Sequence, residues 1–270
     1  MPVIAMNQEM ASLGKDVAEA LAHELKLAQV KNEVVDHVAQ NMSSSTSLIR
    51  RVVEGKAGLL TRMTTDNESL SNFVAEAVFE QAAQGNVIIR GWGATFLLRE
   101  IPHIPCIRVC APMQNRMAWL KAKLGTDDED LVREELERSD AAHTRNMEVR
   151  FGAVWGDPLL YDLVLNTNRL SVDACVGQVK ALLAQPAFRE TPESQQKLRD
   201  AELAAHVRAA LRRSEEASDV HIVIEAQKGR VKLAGIVADE FEAKAAQKVA
   251  AAVKGVSAVE ADLKLFSRQR

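Results

Sequence analysis

Apolar residues along the chain fall into two patterns. Short apolar runs occur at Val3-Ile4-Ala5-Met6 and Val87-Ile88-Ile89, and, interrupted by Arg108 and by Asp162, at Ile104 to Ala111 and Tyr161 to Asn166. Such runs suit strands of a parallel sheet covered on both faces. Between them, apolar residues recur every three or four positions, the period of a helix with one buried face. Val17, Leu21 and Leu25 mark a first helix, and a second is predicted to begin near Asn32. A third is predicted over Leu48–Met63 on Leu48, Val52, Leu59 and Leu60, interrupted by Gly55 and Gly58. Residues 64–68 read as a loop, followed by a helix from Ser71 or Asn72 to Ala83. Further helices carry Phe96, Leu97 and Leu98, begin at Gln114, fill 126–150, and run from Ser171 or Asn168 to Leu183. Strands alternating with helices over residues 1–185 predict an α/β sandwich with a mostly parallel sheet.

The texture changes at Gln185-Pro186, where two prolines and several polar residues predict a linker over residues 186–196. Beyond it lie an amphipathic helix (Asp200–Arg213), a strand (Val220–Glu225) and a tight turn at Lys228-Gly229. Arg230–Val237 pairs back as a hairpin, Asp239 starts a helix, and Val259–Leu265 alternates as a last strand. The order α-β-β-α-β over residues 197–267 predicts a small α+β domain.

Composition narrows the classes. The 270 residues are 47% hydrophobic and 26% charged, with a net charge of −3. That is a globular balance, and it gives no basis for nucleic acid or an anionic membrane as a bulk partner. No run is long enough for a transmembrane segment, and the N-terminus lacks the pattern of a signal peptide. The three cysteines, Cys106, Cys110 and Cys175, are too few and too scattered for a disulfide framework or a metal site. Reduced core thiols in a cytoplasmic protein are expected.

Candidate chemistry starts after the first strand. Glu9 to Asp16 (Glu-Met-Ala-Ser-Leu-Gly-Lys-Asp) links a strand to a helix, the context of a phosphate-binding loop. Against the pattern G-x-x-x-x-G-K-[ST], only Gly14 and Lys15 match; Glu9 replaces the first glycine and Asp16 the hydroxyl residue. Glu9 brings a negative charge toward the expected anion site. A Gly-Lys at the start of an ordinary helix is the plain alternative. The turn Arg90-Gly91-Trp92-Gly93-Ala94 also follows a strand, so the two loops are expected to be neighbours. Residues 126–150 carry Arg133, Arg138, Arg145 and Arg150. They suit either a solvated helical face or a lid that brings guanidinium groups to phosphates.

Residues 1–185 resemble the cytidylate kinase-like family of P-loop nucleoside monophosphate kinases. The resemblance rests on Glu9–Asp16, Val87–Ala94, Arg108–Pro112 with Arg116, Asp140, and Trp155–Pro158 with Tyr161–Thr167. Residues 197–266 resemble a BON domain through Val231–Val237 and Val253–Val259. The first resemblance implies a P-loop kinase-like three-layer sandwich and ATP-dependent phosphoryl transfer to a nucleoside monophosphate, with CMP foremost. It implies that Ser12, Gly14, Lys15, Asp16 and Arg116 hold ATP, with Mg2+ bridging the donor phosphates. It assigns catalysis to Lys15, Arg145 and Arg150, and acceptor binding to Arg90, Gly91, Trp92 and Gly93. No protein metal ligand is assigned. The BON resemblance implies a module that binds a small ligand, phospholipid or protein.

The chain departs from the family pattern at several charge-handling positions. Ala11 and Leu13 stand where glycine is usual, and Lys31 where an acidic residue is usual. Trp92 and His143 stand at arginine positions. These departures keep open two readings without catalysis, a nucleotide-binding regulator and an interaction protein with a vacated pocket.

Overall fold

The computed structural model describes residues 2–30, 33–53 and 65–266. Its N-terminal sheet contains β1 (Val3–Gln8), β2 (Ala28–Gln29), β3 (Val87–Arg90), β4 (Cys106–Cys110) and β5 (Leu163–Asn166). The order is β2-β3-β1-β4-β5, and every neighbouring pair is parallel. The helices around it are α1 (Gly14–Leu25), α2 (Glu33–Asn41), α3 (Thr46–Val53), α4 (Asn67–Gln84), α5 (Ala94–Leu97), α6 (Met113–Leu124), α7 (Glu129–Phe151) and α8 (Val172–Leu183).

The alternation of β1 shows why the sheet has two covered faces. Val3 and Ala5 join Val87, Ile89 and Cys106 in a core shared with α2, α3 and α4. Ile4 and Met6 point the other way and join Ile88, Ile107 and Leu165 against α1 and α8. Helix, sheet and helix make the expected three layers. The parallel strands all end on one edge of the sheet, so β1, β3 and β4 deliver the segments after Gln8, Arg90 and Cys110 to the same place. Ligands of open α/β sheets bind at that edge.

Several element boundaries differ from expectation. α4 begins at Asn67, because the Asp66 side chain accepts from the main-chain N–H groups of Glu68 and Ser69 and caps the helix. The predicted third helix is seen over Thr46–Val53; its expected continuation, with Gly55, Gly58, Leu59 and Leu60, lies outside the described residues, as does Lys31. Cys106 and Cys175 are buried and Cys110 half-buried, all three as free thiols. Burial, with Asp162 nearby, pushes the Cys106 thiol up to about 12. Among the described residues, no helix is long and apolar enough to cross a membrane.

Within residues 186–196, Pro186–Phe188 form a 3₁₀ turn and Thr191 caps a long helix. That helix, α9 (Pro192–Arg213), starts at Pro192, not at Asp200. Thr191 and Ser194 exchange hydrogen bonds in a capping box, and Pro192 sits where a helix needs no N–H. β6 (Ile222–Gln227), β7 (Arg230–Val237), α10 (Glu240–Ala252) and β8 (Ala258–Leu265) complete the α-β-β-α-β unit. β6 and β7 pair antiparallel through a turn in which Lys228 and Gly229 both have positive φ, and β8 pairs parallel with β7.

α9 is buried on two sides. Leu198, Ala205 and Ala209 enter the N-terminal core beside α4. Leu203, Ala204, Val207 and Leu211 enter the C-terminal core with Ile224, Leu233 and Ala246. One helix therefore supplies packing to both parts of the chain.

Candidate nucleotide site

The segment after β1 takes left-handed backbone at two positions where the family usually has glycine. Ala11 and Leu13 have φ of 62° and 60°. Left-handed geometry costs an L-residue about 1–2 kcal/mol, so the surroundings must enforce it. They do so through three donors, the single Ser12 hydroxyl hydrogen being shared between two carbonyls. Ser12 Oγ donates to the Glu9 carbonyl at 2.8 Å and to the Val109 carbonyl at 3.2 Å. Thr167 Oγ1 donates to the Ser12 carbonyl at 2.9 Å. Arg116 Nε donates to the Met10 carbonyl at 2.7 Å.

α1 then opens at Gly14 with no side-chain cap. The Val17 N–H bonds back to the Leu13 carbonyl at 3.0 Å. The N–H groups of Gly14, Lys15 and Asp16 thus precede the first intrahelical bond and are available to an anion, which the helix dipole favours. Gly14 is required by space: a Cβ there would meet Gln8 Cβ and Oε1 at 2.6 Å.

Glu9 does not face the anion site. Its carboxylate turns beneath the loop, where Arg108 donates to Oε1 at 2.8 Å and the Ala111 N–H to Oε2 at 3.1 Å. Arg108 is 7% exposed. It also donates to the Trp155 carbonyl at 3.0 Å and lies 4.2 Å from the centre of the Trp155 ring. Tyr161 OH donates to the same carbonyl at 2.7 Å, and Trp155 Nε1 donates to Asn7 Oδ1 at 2.9 Å. The expected charge conflict is therefore absent: Glu9 anchors the loop to β4. The Trp155 and Tyr161 block is part of this support and not of the cavity wall.

A cavity of about 380 Å³ opens over the loop. Its walls include Ser12, Gly14, Lys15, Asp16 and Arg90 among the residues expected from the sequence. Lys15 and Asp16 are exposed, and Lys15 Nζ lies 3.5 Å from Glu19. Arg90 is half-buried. Burial lowers its pKa, while Glu19 and Asp16 hold it up.

The other expected residues lie elsewhere. Arg116 is buried below the loop, where it is bound to Met10 and, through two 2.8 Å bonds, to Asp140. Arg145 is exposed. Arg150 is half-buried, and burial lowers its pKa to about 10. Neither Arg145 nor Arg150 lines the cavity. Gly91, Trp92 and Gly93 form a turn with φ of 84°, 59° and 70° outside the cavity wall.

Gln8, Trp119, Lys123 and Ser139 also line the cavity and were not singled out as binding groups in the sequence. Trp119 and Lys123 are spaced one turn apart on α6, with the ammonium 4.6 Å from the ring centre. That spacing was a usable signal. His143, at an arginine position of the family pattern, also lines the cavity and stacks on Trp155 at 5.0 Å. Its Nδ1 lies 2.8 Å from the Ser139 carbonyl. A carbonyl only accepts, so Nδ1 carries the hydrogen and Nε2 is the other ring position.

The far end of α7 closes on the Gly93 turn. A Cβ at Gly93 would lie 2.3 Å from the Phe151 ring, which stacks on Phe96 at 4.8 Å. Gly93→Ala is expected to destabilise the chain by about 2 kcal/mol, from positive φ and displaced Phe151 together. Urea denaturation checks this, and a loss below about 0.5 kcal/mol would mean that α7 does not rest on the turn.

Comparison with known proteins agrees with this geometry. A profile of the cytidylate kinase-like family matches residues 3–169. The chain belongs to the cytidylate kinase-like family. A BON domain profile matches residues 199–265. Among curated proteins, a cytidylate kinase of Pyrobaculum aerophilum is 24% identical over 180 residues, covering 65% of this chain and 89% of its own. A cytidylate kinase of Methanopyrus kandleri is 29% identical over 140 residues, covering 49% and 72%. Among solved structures, an uncharacterized protein of Eubacterium ventriosum superposes with a TM-score of 0.51 at 18% identity, covering 68% of this chain and 98% of that one. That likeness concerns the fold.

Proposed function

We propose that this member of the cytidylate kinase-like family binds ATP at the β1–α1 loop. It transfers the terminal phosphoryl group to a nucleoside monophosphate, CMP first, and its BON unit serves as a binding module. The observation that carries the reading is the uncapped N-terminus of α1 behind a loop locked in left-handed geometry. It opens on a cavity flanked by Lys15, Arg90, Lys123 and Arg138. Backbone N–H groups would hold the donor phosphates, and Lys15 would meet charge developing on the transferred group. Arg90, at the end of β3, faces the same space and would orient the acceptor phosphate. Asp16 offers an exposed hard oxygen at the helix start, so it is the residue that would hold Mg2+. When bound, that ion neutralises donor phosphate charge.

A second reading is nucleotide binding without turnover. It is favoured by the commitment of Arg116 to Asp140 and by the position of Arg145 outside the cavity wall. Calorimetric titration of the chain with Mg-ATP, followed by a CMP phosphorylation assay, tests both. One site per chain with ADP formation dependent on CMP is the expected result. Saturable binding without ADP formation would establish the second reading. No binding to the folded chain would remove both.

A further inference from the structure

We propose that α4 and α9 together form a divalent transition-metal site of the Zn2+ type. It would bind through Glu76, Glu80 and His206 and join the N-terminal unit to the BON unit. It stands apart from the nucleotide cavity and is independent of the reading above.

Glu76 and Glu80 are one turn apart on α4, and His206 faces them from α9. One ligand atom from each lies within 4.8 Å of the others. His206 Nδ1 is 3.1 Å from Glu76 Oε1 and 3.8 Å from Glu80 Oε1. Tetrahedral zinc with bonds of about 2.0–2.1 Å to nitrogen and oxygen sets its ligand atoms about 3.3 Å apart. The His206–Glu80 separation exceeds that by about half an ångström, so Glu80 has to move toward the other two ligands. A metal would take the place of the hydrogen now shared by His206 and Glu76.

The partners of these three residues match those of a metal centre. Glu202 Oε1 lies 3.8 Å from His206 Nε2, so the second ring nitrogen faces a carboxylate. A carboxylate behind the distal nitrogen is the usual support of a metal-binding histidine. His37 Nε2 lies 2.7 Å from Glu76 Oε2 and fixes the other oxygen of that carboxylate. Arg213 donates to both Glu76 oxygens. Glu76 is 3% exposed.

Imidazole with carboxylate oxygens suits zinc and its neighbours better than calcium or magnesium.

The test is titration of the metal-stripped full chain with Zn2+ by calorimetry and with Co2+ by visible absorption. The expected result is one ion per chain and a visible cobalt spectrum. Affinity should fall about a hundredfold in His206→Ala and about tenfold in Glu202→Gln. Glu80→Gln, at a half-exposed position, should weaken binding without loss of fold by circular dichroism. Absence of Zn2+ binding to the wild-type chain would overturn the proposal. So would wild-type affinity in a folded Glu80→Gln and a folded Glu202→Gln chain.

Discussion

Arg108→Ala is expected to lower the stability of the chain by about 3–5 kcal/mol, the cost of leaving a buried charge without its partner. The side chains of Arg108 and Glu9 are only 8% and 16% exposed. Alanine would remove the 2.8 Å bond to Glu9, the bond to the Trp155 carbonyl and the cover over the Trp155 ring. Glu9 would keep the Ala111 N–H, with Arg116 at 3.7 Å. Without Arg108 the carboxylate would also be freer to turn toward the proposed phosphate site. Denaturant unfolding followed by tryptophan fluorescence measures the first effect, and Mg-ATP titration the second. The double variant Glu9→Gln, Arg108→Met should recover part of the loss, because it removes both charges together. A loss below about 1 kcal/mol for Arg108→Ala would show a surface-like pair and no anchor.

Lys15→Ala should separate chemistry from folding. Lys15 is exposed, and its one side-chain partner among the described residues, Glu19, lies at 3.5 Å. A pair of that kind contributes little, so stability should change by less than about 0.5 kcal/mol. Turnover should fall by about 10²–10³-fold, the effect of removing one group aimed at charge developing in the transition state. A coupled assay of ADP formation at saturating CMP reads this directly. Unchanged turnover would place the phosphate site elsewhere.

Much of the architecture is visible in the sequence because it depends on local pattern. Val87-Ile88-Ile89 has no polar position, and that alone places it inside a sheet covered on both faces. Lys228-Gly229 marks the hairpin through the positive φ that such a turn demands. The starts of α4 and α9 were harder to place. Asp66, and Thr191 with Pro192 and Ser194, are helix-start signals, but they stand among loop-forming residues. The prolines near residue 190 suggested a linker more strongly than the cap suggested a helix.

The site divides along the same line. Gly14 and Lys15 are adjacent, so the loop could be proposed from them. Glu9 could not be judged, because its fate depends on Arg108, and a charged residue inside an apolar strand does not announce its partner. The family resemblance implies Arg116 and Arg145 at the nucleotide. Their positions in space follow from how α6 and α7 pack, which no short motif encodes.

The two-sided packing of α9 has a consequence during synthesis. When the ribosome has released only residues 1–185, Leu198, Ala205 and Ala209 have not yet reached the core beside α4. The nascent N-terminal unit must wait with that apolar surface uncovered, a state open to chaperones and to aggregation. Its completion is timed by the arrival of the helix that also begins the BON unit. A stop codon at the apparent domain boundary would therefore yield an unfinished kinase-like unit.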